Sequence, residues 1–480
     1  MCRVAPAGAS PKPIVVTSPS SASRLICRST RASRSIGVSE VQRICFAVLV
    51  TPRVYRGLLA VTVGGRTPSH RVDSSEPSRE PIRVVRSPGL QVVIVSRIYL
   101  PEPSAASFFL STLAAELVDR SHDVTVLTVR PPKGYVVPER PEALRLFPVL
   151  RDRSGYVRGY LQYLSFDVPL AFRLLFRKRP DVVVVEPPPT TGAVVRAICR
   201  LRGIPYVYDA ADLWSVAAAH ATSSSLVLRV LERLERWAIG GADRVITIST
   251  SVADRIKAWG IRKPVDVTGR GADTAQFHYS PAPLRTEFVY AGSASAWHGA
   301  IVLIDAFAEF SSSHPEYLLR FIGHGTEHPA IAARAEELGV SDSIVFDEPV
   351  EPAELARELS GAAASLATLL PEGGYEFAFA TKAYSSLASG CPVIFAGPGP
   401  TGAFLDAASS TAPVGTAVNY SPEAIAEAMR TVAERPVLPE SRPGLSEWAD
   451  QHVSMRAAAR RAAAAIEFSG SQTRRKRARS

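Results

Sequence analysis

The chain has 480 residues, 46% hydrophobic, 21% charged and 8% aromatic, with a formal net charge of +10. That composition excludes wholesale disorder, collagen-like repeats and a disulfide-framework fold, and the length allows roughly two to four domains, each able to bury a core. The positive charge sits at the ends: residues 1–90 hold 14 Lys and Arg against Glu40, Asp73, Glu76 and Glu80, the last ten residues add Arg474, Arg475, Lys476, Arg477 and Arg479, and 91–470 holds 36 bases against 41 acids. The pI therefore says little about the middle of the chain, and no nucleic-acid partner is expected.

Residues 1–88 are rich in Arg, Ser and Pro, poor in acids and without a sustained period. Three readings stand: a disordered extension (including one created by an upstream start codon), an organelle transit peptide, or a functional basic arm. Its longest apolar stretch, Ile44 to Val63, is broken by Pro52, Arg53 and Arg56. It is expected neither to span a membrane nor to act as a secretory signal.

Order begins at Leu90. Gln91 to Ser96 is a short apolar run, as in a buried parallel strand, and a polar turn from Tyr99 to Ala106 leads into a helical pattern over Phe108 to Asp119. His122 to Thr128 is the next strand, which completes one strand–helix–strand unit. The rhythm continues with strands at Pro180–Glu186, Ile204–Asp209 and Ala242–Ser249, and helices at Gly192–Arg202, Leu226–Ile239 and Val252–Trp259. After a hinge-like stretch near Gly269–Pro283, a second series has strands at Glu287–Tyr290, Tyr317–Ile322, Ser343–Phe346, Ala364–Ala367 and Pro392–Phe395. Helices are expected near 300–313, 328–338, 352–361, 380–389 and Pro422–Ala433, with a last Ala- and Arg-rich helix over Trp448–Phe468.

Alternation of this kind predicts an α/β chain with two doubly wound, Rossmann-like domains facing across a cleft, with ligands outside the carboxyl ends of the strands. The expected division is a basic extension over 1–88, a first Rossmann-like domain over 89–268, a second over 284–440, a helix over 445–468 that packs back on the first domain, and a basic tail over 469–480. Cys2, Cys27, Cys45, Cys199 and Cys391 show no metal-ligand spacing, so a reducing compartment is expected, with neither a disulfide scaffold nor a zinc site.

Several phrases, taken in order, carry a resemblance. They are Val92–Ala106 closing with His122–Val126, Tyr206–Trp214, Ala242–Ser249, Gly271–Thr274 with Phe277, Phe288–Ser293 with His298 and Gly299, Phe321–Gly325, and Thr381–Ile394. Over roughly 90–468 the chain resembles the retaining family-4 glycosyltransferases of the GT-B type, and within them the branch that builds cell-surface polysaccharides. The resemblance implies a nucleotide-sugar donor, a lipid-linked or saccharide acceptor hydroxyl, no metal or other cofactor, and a cytoplasmic site at the inner face of a membrane.

It also implies roles, residue by residue. The leaving diphosphate must be met by backbone amides, helix N-termini and cations. Gly292, Ser293, His298 and Gly299 occupy the turn expected to receive it; the family usually has an Arg and a Lys where Ser293 and His298 stand. Lys382, at a helix start, is the remaining cation, unfavourable against the helix dipole unless an anion joins it. Gly323 and Gly325 are expected to admit a base or phosphate. The family's paired glutamates fall on Phe377, beside Glu376, and on Ser385, so Glu376 is expected to contact the donor sugar and Ser385 the ribose. Asp212 is expected to serve the acceptor hydroxyl, with Pro103, Ser104 and Ala105 lining the acceptor side and Glu186 a lesser candidate.

Each residue also has a bland reading as an ordinary turn, cap or solvated side chain. Two other functions stay open: a nucleotide-sugar epimerase on the same architecture, and a non-catalytic relative that has lost its cations. Finally, Arg151–Arg179 interleaves Arg and Lys with Tyr and Phe. It reads either as a surface for an anionic membrane or as a buried helix with a charged outer face.

Overall fold

The computed structural model describes residues 89–479, except 103, 133, 138, 153, 154, 156, 158, 220–223, 373 and 374. The extension expected over 1–88 lies outside the described residues.

The first sheet has seven parallel strands in the order β3-β2-β1-β4-β5-β6-β7: β1 Gln91–Val95, β2 Asp123–Val129, β3 Ala143–Phe147, β4 Val182–Val185, β5 Tyr206–Ala210, β6 Arg244–Thr247 and β7 Val265–Val267. β4 consists of four valines with no exposed surface, which fits a strand covered by helices on both faces. The connecting helices are α1 Ala105–Asp119, α2 Tyr160–Phe176, α3 Pro189–Arg202, α4 Trp214–Ala219, α5 Ser225–Gly240 and α6 Thr250–Ala258.

The second sheet has six parallel strands in the order β10-β9-β8-β11-β12-β13: β8 Glu287–Ala291, β9 Leu318–Ile322, β10 Ile344–Asp347, β11 Ala364–Thr368, β12 Val393–Ala396 and β13 Gly415–Val418. Its helices are α7 Val302–Ser311, α8 His328–Glu337, α9 Pro352–Gly361, α10 Lys382–Ala388, α11 Pro400–Ala408 and α12 Pro422–Glu434. The order in which strands are added reverses beside β1 in one sheet and beside β8 in the other. A crevice opens at such switch points.

The strands that sequence reading missed, β3, β7 and β13, are all at sheet edges, where one flank meets no neighbour and alternation is weak. The C-terminal expectation needs correcting. In place of one helix over 445–468 and a tail, there are two helices, α13 Arg442–Val453 and α14 Met455–Arg479. Ser454 breaks them with extended backbone (φ −71°, ψ 156°), and Ala272 pairs across the break: its N–H donates to the Val453 carbonyl at 2.9 Å and its carbonyl accepts from Met455 at 2.7 Å. α13 packs on the second half through Leu445, Ala449 and Val453. α14 returns to the first half, where Ala458, Ala459, Ala462, Ala463 and Ile466 lie against Phe109, Leu110 and Val184. Its alanines let two backbones approach closely, and the helix continues through the expected tail to Arg479.

The turns after β8 and β9 lie against each other. Gly323 has φ +139°, and a Cβ there would stand 2.6 Å from the Gly292 carbonyl oxygen. Gly323→Ala is expected to lower the urea-unfolding free energy by about 1–3 kcal/mol. Gly339→Ala, at φ +69° with open space around it, should cost less.

Candidate active site between the two sheets

β8 ends in Gly292, whose φ of +104° turns the chain sharply. Its N–H donates to the Ile322 carbonyl at 2.8 Å, and that of Ala294 to the His324 carbonyl at 3.1 Å. Ser295 donates its N–H to His298 Nδ1 at 3.2 Å. The expectation that amides around Gly292 wait for a phosphate is thereby narrowed. The amides of Gly292, Ala294, Ser295, His298 and Gly299 are engaged within the protein, whereas that of Ser293 has no acceptor among the described residues.

His298 is buried, and because Nδ1 accepts, the neutral ring carries its hydrogen on Nε2. Burial, and then the nearby Lys382 charge, lower its pKa to about 3. His298 is thus a neutral donor at physiological pH.

Lys382 opens α10 and reaches the same turn. A Cβ on Gly292 would stand 4.0 Å from Lys382 Cε. The Lys382 stem is partly exposed but Nζ is out of reach of solvent, with no hydrogen-bond acceptor among the described residues. It stands 3.4 Å from the centroid of the Tyr290 ring. Burial holds this ammonium well below the usual lysine range. A cation–π contact compensates only part of the loss of water, so the ammonium remains in want of an anion. Ser385, one turn along the same helix, is half-buried.

Gly323 and Gly325 have a cause other than a ligand. Their missing side chains leave room for the Gly292 and Ala294 backbones. Gly299, at φ +63°, leaves room for the Tyr420 ring, whose hydroxyl donates to the Gly299 carbonyl at 2.6 Å. Gly399 likewise leaves room for the Glu376 carbonyl. Glu376 itself is half-buried. Gly373 and Gly374, in the same loop, lie outside the described residues. Phe377, where the family would carry a glutamate, sits under the Arg255 guanidinium of α6 at 5.3 Å, so this loop meets the other half of the molecule.

The first half contributes its own strand ends. Asp209, fully buried at the end of β5, accepts two hydrogen bonds from Arg270 Nη2 at 2.8 and 2.9 Å. The Arg270 guanidinium stacks 4.0 Å over Phe109, and its Nη1 is buried without an acceptor among the described residues. Asp212 is open to solvent yet crowded by surrounding protein. That crowding raises its pKa, with Arg270 opposing and Asp209 adding. Glu235 fixes the turn behind it, accepting from Trp214 N–H at 2.7 Å and Ser215 N–H at 2.9 Å.

Glu186, at the end of β4, accepts from Ser96 Oγ at 2.9 Å. Burial pushes its carboxyl up to about 7, partly opposed by Arg97. Arg97 lies 3.9 Å over the Tyr163 ring. Of the acceptor-side residues, Ser104 is buried as the N-cap of α1, exchanging hydrogen bonds with Ser107 at 2.8 and 2.9 Å. Ala105 is exposed, and Pro103 lies outside the described residues. Sequence reading missed Arg97 and Arg270. Their only local signal is position, one directly after a strand and the other between Gly269 and Gly271.

Comparison with known proteins gives one match for each half. Residues 105–271 match a glycosyl transferase 4-like domain, and residues 285–435 match glycosyl transferases group 1. The chain belongs to the GT-B glycosyltransferases.

Among solved structures, this glycosyltransferase is similar to sucrose-phosphate synthase from Thermosynechococcus elongatus, at 16% identity and TM-score 0.54, over 81% of this chain and 98% of that one. It is also similar to the lipopolysaccharide outer core galactosyltransferase WaaB, at 14% identity and TM-score 0.56, over 78% and 99%. A third is HepE from Anabaena in complex with UDP-glucose, at 15% identity and TM-score 0.52, over 79% and 100%. No curated protein matches at the level of sequence. At these identities the likeness is one of fold.

Glu186 gives a pH signature. Its folded-state pKa of about 7 lies above the ordinary value of ~4.3, so between the two the folded state binds the proton more tightly. The contribution is full below ~4.3 and is lost as pH rises through about 7. Glu186→Gln is therefore expected to remove a stability difference on the order of 3 kcal/mol across that window, measured by urea titrations at pH 5 and pH 8.

Proposed function

We propose that this glycosyltransferase moves a hexosyl or N-acetylhexosaminyl group from a nucleoside diphosphate sugar to a hydroxyl acceptor, with retention at the anomeric carbon. The reading rests above all on the Lys382 ammonium, buried beside the Gly292 turn without a hydrogen-bond acceptor among the described residues. An anion placed there would restore its full charge and accept its hydrogen bonds. His298 Nε2–H and the Ser293 amide converge on the same turn, and these three donors meet the leaving diphosphate without calling on a divalent ion. Glu376 contacts the sugar and Ser385 the ribose.

In the proposed transfer, the bond from the anomeric carbon to the diphosphate oxygen breaks and its electron pair leaves with the diphosphate. The acceptor oxygen bonds to that carbon on the same face. Its proton passes to Asp212, whose raised pKa makes the carboxylate a better base than an ordinary aspartate. The acceptor is proposed to be a lipid-linked or saccharide precursor of a cell-surface polysaccharide, elongated on the cytoplasmic side.

Lys382→Met separates binding from folding. Without ligand the variant should melt no lower than the parent, because an unpaired buried cation is gone. Its affinity for UDP or GDP should fall by roughly 10- to 100-fold, as expected for a lost charge-assisted hydrogen bond. Thermal shift and calorimetry read both quantities, and unchanged nucleotide affinity would remove the diphosphate assignment. Asp212→Asn should leave nucleotide affinity intact and slow transfer by roughly 10²-fold or more in a labelled-donor assay. The same assay without acceptor detects an epimerase, and binding without turnover on any acceptor would identify a non-catalytic relative.

A further inference from the structure

Helix α2 is apolar on two faces. Phe166, Leu170 and Leu174 are buried against the first sheet. Its opposite face should be polar if it met only water. Instead Leu161, Leu164, Val168, Phe172 and Phe176 are exposed to 69, 54, 51, 59 and 79%. Spaced three or four residues apart, they form a single stripe about 25 Å long. The Phe172 and Phe176 rings stack on the surface with centroids 6.5 Å apart. Leu150, itself exposed, extends the patch, since its N–H donates to Ser165 Oγ at 3.0 Å. From Leu161 to Phe172 the one carboxylate is Asp167, which is buried and accepts from Thr191 Oγ1 at 2.6 Å. A buried helix with a charged outer face, the rival expectation for this segment, is not what the structure has.

Positive charge gathers at one end of the stripe. Arg173 Nη2 donates to the Arg145 carbonyl at 3.1 Å, and Arg177 lies close enough for the three side chains to repel one another. Lys178 and Arg179 follow, both exposed. The other end of the stripe reaches the cleft: Tyr163 lies under Arg97 at 3.9 Å and 6.4 Å from the Trp214 ring. Arg97 follows β1 and Trp214 opens α4 after β5, both on the side proposed for the acceptor.

We propose that the exposed stripe of α2 and its Arg145–Arg173–Arg177 cluster form a docking face for an anionic lipid surface. Acidic headgroups relieve the crowding of like charge, and the leucines and phenylalanines enter the boundary between headgroups and acyl chains. Among the described residues no helix is long and apolar enough to cross a membrane, so the contact is made at the surface. Docked this way, the acceptor side of the cleft stands next to the lipid, within reach of a lipid-carried hydroxyl. The inference deepens the proposed acceptor class, but lipid binding is read with no substrate present and can fail or succeed independently of it.

The test is flotation of the full chain with phosphatidylglycerol vesicles and, separately, with phosphatidylcholine vesicles, alongside size-exclusion chromatography with light scattering. The parent is expected to float with phosphatidylglycerol at least tenfold better than with phosphatidylcholine, and to be released by salt. The double variant Phe172→Glu, Phe176→Glu changes only exposed positions and should keep its thermal midpoint and nucleotide affinity. It should lose vesicle binding by tenfold or more. Three results overturn the proposal: a parent that stays in solution with anionic vesicles, a variant that floats as well as the parent (which would place the contact at the Arg474–Arg479 end or in the basic N-terminal extension), or a dimer that the variant dissociates while the parent ignores lipid.

Discussion

The second half of this molecule is built around an ammonium buried without a hydrogen-bond acceptor among the described residues. Lys382 Nζ has left water for a place above the Tyr290 ring and beside the Gly292 turn. That arrangement is unfavourable by itself, and it persists because two extensive apolar clusters, built on Phe288, Phe307 and Phe321 and on Leu387, Val393 and Phe395, hold β8, β9 and α10 in place. The glycines around it serve closeness more than ligand access. Gly323 and Gly325 allow two strand-end turns to touch, and the Gly292 turn is thereby fixed from behind. On the proposed reading, this preorganisation lets one cation and two neutral donors do what two further cations do in relatives.

The first half solves a different electrostatic problem. Its strand ends carry Arg97, Glu186, Asp209, Asp212 and Arg270 within one network, most of it out of water. Arg270 Nη2 donates to both oxygens of Asp209, and this leaves Glu186 to share Arg97 and to take up a proton near neutral pH. The pair also ties the crossover segment between the halves to β5. Together with the Ala272 pairing at Ser454 and the return of α14 over the first sheet, it sets how the two halves face each other.

The fold was largely legible because its signal is local and repeated. Four successive valines in β4, or the run from Val92 to Val95, can only be a strand covered on both sides, and their alternation with helical stretches gives a parallel sheet. Edges and the division of the C-terminal segment were less legible. β3 and β13 carry weak patterns, and nothing in an Ala- and Arg-rich stretch tells where Ser454 will divide it or that the end continues as helix. Lys382 and the Gly292 turn were named from sequence, and they prove to be neighbours. Arg97 and Arg270 were not, because an arginine after a strand looks like any surface arginine until its partners are known.

The amino-acid order by itself determined two doubly wound halves, the turns at their strand ends and the residues those turns carry, since strand, helix and turn preferences act over a few neighbours. Tertiary structure alone decided which of those residues are starved of partners. That His298 is a neutral donor, that Lys382 lacks an acceptor among the described residues, that Glu186 titrates near 7 and that α2 shows leucine and phenylalanine to the outside all depend on which groups far along the chain come to lie beside them. Burial and electrostatic coupling are properties of the packed molecule, and no local pattern encodes them.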